Sequence, residues 1–148
     1  MQNIRLVPFE KRHLGKACEI YCKAYAKGPY FEKIDERHAK LAIEEVMLSD
    51  NSLCFAIEHK EKLLGFILGS VQRGKRYYTF YIEEFVVDPE HQNKGIGKKA
   101  LAELEKKLIE KGLFGITLLS HRNGALEFFR KSGFKETNWV LMWKRLKE

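Results

Sequence analysis

Long hydrophobic runs are absent from this 148-residue chain, and cysteine is scarce. No stretch approaches the roughly 20 apolar residues that a membrane-spanning helix needs, so we do not expect a membrane protein. The N-terminus lacks a basic segment followed by an apolar run and a small-residue cleavage site, so we expect no export. The three cysteines, Cys18, Cys22 and Cys54, cannot all pair within the chain. We therefore expect them to be reduced, in a cytoplasmic protein.

Internal repeats, linkers and low-complexity segments are absent too, and this length suits one domain with a sizeable core. We therefore expect a single domain over residues 1–148. The histidines and cysteines show no spacing typical of metal ligands, so the sequence predicts no metal site. We interpret His13, His38, His59 and His91 as solvated surface residues.

The net charge of +7 is compatible with two kinds of anionic partner, a nucleic acid or a highly charged cofactor. The basic turn formed by Arg73, Lys75 and Arg76 has no interleaved aromatic residues on which bases could stack. Beyond its charge, the chain offers little that favours nucleic acid. A nucleic-acid-binding domain is therefore only the weaker alternative, and we expect no nucleic acid partner.

Apolar residues recur with the periods of strands and helices in alternating sections of the chain. The pattern predicts strands at residues 4–7, 53–57, 63–68, 77–87 and 114–119, with a final hairpin at 134–143. It predicts helices at residues 9–25, from an N-cap at Asp35 to about residue 47, at 97–110 and at 123–131. Two helices thus precede most of the strands.

Residues 92–97, Gln-Asn-Lys-Gly-Ile-Gly, stand between a β-rich run and a long amphipathic helix. The start of a helix has unpaired backbone N–H groups at the positive end of its dipole, and both attract an anion. Gly95 and Gly97 lack side chains, so phosphate oxygens could approach the main chain closely. This loop is therefore predicted to cradle a pyrophosphate. Three lysines, Lys94, Lys98 and Lys99, lie around it.

Two separate motifs resemble those of the GNAT acetyltransferase superfamily, and the resemblance covers nearly the whole chain. Gln92, Gly95 and Gly97 fit the loop Gln/Arg-x-x-Gly-x-Gly/Ala of that superfamily, and residues 87–90 fit its approach from strand to loop. The residues that fit its second motif are Asn123, Ala125, Phe129, Gly133 and Phe134. The resemblance implies an α/β (α+β) fold. Its central sheet would be mixed, mostly antiparallel, of about six to seven strands, flanked by four helices and splayed at the cofactor cleft.

The resemblance also implies an activity, the transfer of acetyl from acetyl-CoA to a primary amine with a carboxylate or a water molecule as base. Backbone N–H groups of residues 85–87 would polarise the thioester carbonyl. The residues expected to bind the cofactor, acetyl-CoA (CoA), are Phe85, Val86, Val87, Gln92, Asn93, Lys94, Gly95, Ile96, Gly97, Lys98, Asn123 and Phe129. At position 129 the superfamily often has a tyrosine thought to protonate the departing thiolate, which phenylalanine cannot do. Groups with suitable chemistry elsewhere are water, Tyr30, Tyr77, Tyr78 and His121.

Two adjacent carboxylates, Glu83 and Glu84, lie in an otherwise apolar strand, where acids rarely occur without a partner or a task. Strand alternation predicts that their side chains point to opposite faces. Residues 81–85, Tyr-Ile-Glu-Glu-Phe, resemble without a gap the matching strand of diamine N-acetyltransferases. In those enzymes the first acid acts as base and the second helps to hold the cationic substrate. The resemblance therefore implies that Glu83 is catalytic and that Glu84 binds substrate.

Aromatic residues bracket Gly28 and Pro29 between the first two helices, where related acetyltransferases form one wall of the acceptor site. Such rings either surround a cation or pack the helices on the sheet, and both interpretations stay open. The predicted substrate-binding residues are Glu84, Tyr30, Phe31, Glu32 and His121. We expect a small cationic amine as acceptor, and a homodimer is compatible with the sequence. The alternatives are a protein lysine or N-terminal acetyltransferase and a non-catalytic acyl-CoA-binding regulatory protein.

Overall fold

Five strands and four α-helices form the part of the chain that the structure, a computed structural model, describes, residues 3–147. The strands are β1 (Arg5–Pro8), β2 (Ser52–His59), β3 (Lys62–Arg73), β4 (Tyr78–Val87) and β5 (Gly115–Leu118). The α-helices are α1 (Leu14–Ala26), α2 (Glu36–Met47), α3 (Ile96–Glu110) and α4 (Leu126–Lys131). Single 3-10 turns at Lys11–His13 and Pro89–His91 precede α1 and the loop before α3.

The strands lie in the order β1-β2-β3-β4-β5, and every neighbouring pair is antiparallel except β4 with β5. This arrangement confirms the predicted mixed, mostly antiparallel sheet. Apolar side chains of α1 and α2 pack on one face of the sheet, and those of α3 pack on the other. The return from β4 through α3 to β5 places the loop before α3 at the end of β4.

The predicted number of six to seven strands is wrong for the described residues, which form five. The final hairpin at residues 134–143 does not form, and residues 135–147 belong to no strand or helix. A strand is stabilised by hydrogen bonds to a neighbouring strand, and within the described chain this segment pairs with none. The predicted N-cap of α2 is confirmed, since the Asp35 carboxylate accepts a hydrogen bond of 2.8 Å from the His38 N–H.

One extra residue interrupts the alternation of β4. Leu68 of β3 is opposite Glu84 and Gly69 is opposite Ile82, so Glu83 has no partner on β3 and forms a β-bulge. Regular alternation would put Ile82 and Glu84 on the same face. Instead Ile82 packs in the core beside α3, while Glu84 faces α1 and bonds to Tyr25. A Cβ atom on Gly69 would lie 2.3 Å from the Tyr81 carbonyl oxygen, so β4 can approach β3 this closely only beside glycine.

The interpretation of His13 as a surface residue is wrong. His13 and Glu58 are both buried, with His13 Nε2 2.6 Å from a Glu58 carboxylate oxygen, and Arg12 reaches the same oxygen at 3.1 Å. His13 Nδ1 accepts a hydrogen bond from the Glu10 N–H. Burial raises the pKa of Glu58, but His13 and Arg12 lower it by a larger amount, so the pKa lies below its ordinary value. The pair fixes the start of α1 against β2.

Replacing Glu58 by Gln should therefore destabilise the protein in a pH-dependent way. Because folding lowers the Glu58 pKa, its contribution is complete above the unfolded value of about 4.3 and is lost as the pH falls through the folded pKa. We expect Glu58→Gln to lower the free energy of unfolding by about 1–3 kcal/mol at pH 7. The difference from the parent should shrink below about pH 4. Urea unfolding of the parent and the variant at pH 7 and pH 3 measures this difference, and Glu61→Gln, at an exposed position, is the control. An equal loss at pH 3 would contradict the assignment.

Candidate active site

A cleft opens where β4 and β5 part. The two strands pair only between residues 79–82 and 115–118. From Glu83 to Val87 no strand of the described chain pairs with this edge of β4. The backbone groups on that side therefore have no strand partner, and those not bonded to a side chain are available to a ligand. The predicted splay of the sheet is present, and residues 85–87 lie on the edge that it frees.

The loop before α3 continues from the end of this edge. The Gln92 side chain donates a hydrogen bond of 3.0 Å to the Val87 carbonyl, so it holds the loop to the strand. Gly95 stands at the start of the helix with φ of 77°, a left-handed conformation that favours glycine. Nothing lies within 4 Å of the position that a Cβ atom on Gly95 would take. The space before the helix is open.

The donors at this helix terminus fit a pyrophosphate. The first backbone bond of α3 runs from the Lys99 N–H to the Gly95 carbonyl, so the N–H groups of residues 96–98 have no partner within the helix. They point along the axis toward the open space, at the positive end of the helix dipole. Lys94 and Lys98 are exposed beside it. The predicted cradle therefore has suitable donors and room for a doubly charged group.

Asp88, which follows β4, links this loop to α1. Its carboxylate is 1% exposed, accepts a hydrogen bond from the Glu90 N–H and lies 3.3 Å from Lys23 Nζ of α1. Burial raises the Asp88 pKa, but these partners outweigh it and keep the pKa below its ordinary value. Its second oxygen lies 3.7 Å from His91 Nδ1, and neither atom has a hydrogen-bond partner among the described residues. Sequence reasoning did not assign Asp88 a role of its own, although an acid directly before proline at a strand end was a signal.

Phe129 belongs to an aromatic cluster that forms one wall of the cleft. It is buried, and its ring centroid lies 6.0 Å from that of Phe85, 5.1 Å from Phe128 and 5.3 Å from Phe134. A Cβ atom on Gly97 would touch Phe128 at 3.4 Å, so the cluster also packs against the start of α3. Phe129 offers no hydrogen-bonding group. Its place in the fold is that of a packing residue.

Glu84 is a half-buried carboxylate held by tyrosines of α1. The Tyr25 hydroxyl lies 2.9 and 3.2 Å from its two oxygens and donates to it. Burial raises the pKa of Glu84 to about 7, hydrogen bonds from Tyr25 and Tyr21 reduce this rise, and the charge of Glu83 adds to it. Burial and the Glu84 charge likewise raise the pKa of Tyr21 to about 12. Glu83, by contrast, is exposed at the bulge.

Sequence reasoning missed Tyr21. The four-residue spacing between Tyr21 and Tyr25 was the available signal, because residues at i and i+4 share one face of a helix. Their ring centroids lie 4.7 Å apart in the structure. Tyr25 bonds to Glu84 directly, and Tyr21 packs beside Tyr25.

Tyr30 and His121 extend this group across the mouth of the cleft. The Tyr30 ring centroid lies 5.1 Å from that of Tyr25 and 6.3 Å from that of His121. His121 Nδ1 accepts a hydrogen bond of 3.1 Å from the Asn123 N–H, which orients the ring. The Glu32 N–H bonds to the Tyr25 carbonyl at 2.8 Å. The connections before α2 and before α4 therefore meet beside Glu84.

Phe31 is exposed in its loop, and the candidate proton donors Tyr77 and Tyr78 lie at the far end of β4. The tip of the Phe31 ring lies against Gly28 of its own loop, and most of that ring is exposed. Tyr77 stacks on Phe114 with centroids 4.0 Å apart, at the end of β4 far from the loop at residues 92–97, and β4 begins at Tyr78. Tyr77 and Tyr78 are therefore poorly placed to protonate a leaving group in the cleft.

Other kinds of site find no support in the described residues. In residues 3–147, no three His, Cys, Asp or Glu side chains lie together so that they could hold a metal ion. Within the same range, no helix combines the length and apolar character that crossing a membrane requires.

The sequence is similar to known acetyltransferases. Residues 15–134 match the acetyltransferase (GNAT) family. An uncharacterised N-acetyltransferase of Methanocaldococcus jannaschii is 24% identical over 141 residues, which cover 92% of this chain and 62% of that protein. The chain thus spans less than two thirds of the length of that relative.

Solved structures share the fold. A possible acetyltransferase from Clostridium difficile 630 superposes with a TM-score of 0.81 at 12% identity, over 98% of this chain and 99% of the other. AAC(6')-Iy, in complex with the bisubstrate analogue CoA-S-monomethyl-acetylneamine, superposes with a TM-score of 0.71 at 18% identity, over 97% and 98% of the two chains. At these identities the similarity establishes a common architecture.

Proposed function

Because the chain belongs to the acetyltransferase (GNAT) family, we propose that it transfers an acetyl group from acetyl-CoA to the primary amine of a small cationic molecule. The observation that carries the proposal is that the Glu84 carboxylate lies among tyrosines beside the cleft. The same strand, β4, leads into the loop at residues 92–97, whose geometry fits a pyrophosphate. Donor and acceptor sites would then meet at the bulge of β4.

The donor side of the cleft uses main-chain groups. The N–H groups of residues 96–98 would bind the pyrophosphate, and the freed edge of β4 at residues 85–87 would orient the acyl arm. Acetyl-CoA, when bound, supplies an acetyl group activated as a thioester. Phe85 and Phe129 would exclude water from that arm, and the link from Asp88 to Lys23 would keep the loop in register with α1.

The acceptor amine must lose a proton, since an amine with a pKa near 10 is mostly protonated at neutral pH and cannot attack. Glu84 suits this step because a general base works best when its pKa lies near the working pH, and the pKa of Glu84 is raised to about 7. The sequence assigned the base to Glu83 and substrate contact to Glu84. The geometry favours the reverse, while Glu83 stays a testable candidate at the exposed bulge.

The acceptor side carries negative charge in a chain of net charge +7. Glu84 and Glu32 are both close enough to Tyr21 for their charges to raise its pKa. The faces of Tyr25 and Tyr30 add a surface that attracts cations. A neighbouring fold, AAC(6')-Iy, binds an analogue that joins CoA to acetylneamine. These features favour a small cation over an anionic or neutral acceptor.

An acceptor panel tests the substrate class. At fixed acetyl-CoA, we expect spermidine and an aminoglycoside to be acetylated with kcat/KM at least about tenfold above that of a neutral arylamine. Glu32→Gln should raise KM for the cations by about 2–5-fold, since exposed charge pairs contribute modestly. Glu45→Gln, an exposed acid on the far part of α2, should change nothing. A preference for the neutral amine would overturn the cationic class.

Two alternatives predict other outcomes of the same panel. A lysine peptide or a peptide N-terminus preferred over every small amine would indicate a protein acetyltransferase. The packing of Phe129, which leaves no proton donor at that position, favours a non-catalytic acyl-CoA-binding regulatory protein. Tight binding of acetyl-CoA without transfer to any acceptor would establish that function.

A further inference from the structure

The C-terminal arm, residues 137–147, carries a large apolar surface that its own chain leaves exposed. Every residue of the arm is exposed. Trp139 is 91% and Trp143 82% accessible, and the other large apolar residues of the arm, Val140, Leu141, Met142 and Leu146, are likewise exposed. A contiguous exposed patch of this kind marks an interaction surface.

The arm leaves the body of the protein at a fixed point. Phe134 packs on Phe129, and Glu136 forms ion pairs with Arg130 and Arg122. Beyond Glu136 the side chains lose contact with the core. The root of the arm is therefore anchored while its apolar part extends into solvent.

The same protein has an unpaired sheet edge beside that root. β5 pairs with β4 on one side, and no strand of residues 3–147 pairs with its other side. Open edges of this kind readily accept another strand. A groove of about 420 Å³ runs along β5, between it and the second half of α3. Its apolar lining includes Leu108, Leu113, Ile116 and Phe134.

The arm has the composition of a buried strand. Residues 139–143, Trp-Val-Leu-Met-Trp, are all apolar, contain no glycine or proline, and are rich in residues that favour strands. Their length suits the four residues of β5.

We propose that the arm of one copy adds as a strand to the β5 edge of a second copy, and that the arm of the second copy adds in the same way to the β5 edge of the first. The occupant is a second copy because the chain's own arm does not lie in its own groove. Reciprocal exchange closes with two-fold symmetry and pairs both open edges. The inference concerns assembly and does not depend on the identity of the acceptor amine.

The tryptophans give a direct test, because the two in the chain, Trp139 and Trp143, are both in the arm. In an exchanged dimer their fluorescence should be blue-shifted. It should move to the red on dilution, in step with a change from dimer to monomer by light scattering. A monomer at micromolar concentration overturns the proposal, whether its emission is red, as for a free arm, or blue, as for an arm folded onto its own chain.

Chemical cross-linking locates the contact. Thr117→Cys on β5 and Leu141→Cys in the arm, combined in one chain and treated with a short bismaleimide, should give a covalent dimer on a denaturing gel. Arg5→Cys with Leu141→Cys is the matched control, because Arg5 lies on the other edge strand of the sheet, and it should stay monomeric. Cross-linking confined to one chain, or equal dimer yield from both pairs, would overturn the assignment of the β5 edge.

Discussion

Gly95→Asp is expected to abolish acetyl-CoA binding while leaving the fold intact. Aspartate caps helices well and tolerates the left-handed conformation that Gly95 adopts, with φ of 77°, so α3 should still form. Its carboxylate would occupy the open space before the helix and repel the pyrophosphate. Like charges in contact cost several kcal/mol, so the Kd for CoA should rise at least about 100-fold. Isothermal titration calorimetry with CoA measures the loss.

Two controls separate charge from conformation. Gly95→Asn has nearly the same size and backbone preference without the charge, so it should retain much more affinity than Gly95→Asp. Gly112→Asp places the same carboxylate at the other end of α3, where glycine also has a positive φ and open space. That variant should bind CoA like the parent. If Gly95→Asp did the same, the loop at residues 92–97 would not be the cofactor site.

Glu84→Gln is expected to lower kcat by about 10²–10⁴-fold, because it removes the proposed base while keeping a group that Tyr25 can hydrogen-bond. CoA affinity should be unchanged. In the parent, the base must be ionised to act, so kcat/KM should rise with pH through about 7, the pKa of Glu84, and then level. The residual activity of the variant should not show this rise of kcat/KM near pH 7. Steady-state rates from pH 5.5 to 9 test both effects.

Glu83→Gln is the matched variant, one residue away on the same strand. It should retain most of the activity and the rise of kcat/KM near pH 7. If it instead shows the larger loss, the base is Glu83, as the sequence resemblance implied. Loss of CoA binding in either variant would show that the carboxylates shape the donor site rather than the acceptor site.

Stability provides a second readout for Glu84. Its folded pKa of about 7 lies above the unfolded value of about 4.3, so its ionisation costs stability as the pH rises between them. Glu84→Gln should therefore unfold at a higher temperature than the parent at pH 8, and this advantage should vanish at pH 4. A variant that is more stable and less active would show that the carboxylate is kept for function rather than for folding.

The geometry of the loop at residues 92–97 could be predicted from sequence because its determinants are local. A strand, two glycines and a helix start lie within about a dozen consecutive residues, and each constrains the next. The state of Glu84 could not be predicted in this way. Its pKa depends on burial and on Tyr25, which is 59 positions away and reaches the carboxylate only after α1 has packed on the sheet.

The errors arose where pairing between distant segments decides the structure. Residues 134–143 have the pattern of strands, but pattern alone does not say which segment supplies the hydrogen-bonding neighbour. The burial of His13 cannot be predicted from its own segment, because it depends on Glu58, 45 positions away. The bulge at Glu83 was missed because alternation is read on one strand, whereas a bulge is defined by the count of residues on two.

The extra residue in β4 contributes to the shape of the cleft and not to the packing of the core. Without Glu83, Ile82 and Glu84 would be neighbours and would still face opposite layers, so both cores could be filled by a chain one residue shorter. A bulge, however, bends its strand, and here it follows the last residue that pairs with β5. A straight β4 would let the two strands continue to pair and would close the gap between them. A residue at position 83 is therefore not needed to pack either face of the sheet, but it is needed to separate β4 from β5. Its presence in the backbone matters even before its side chain does.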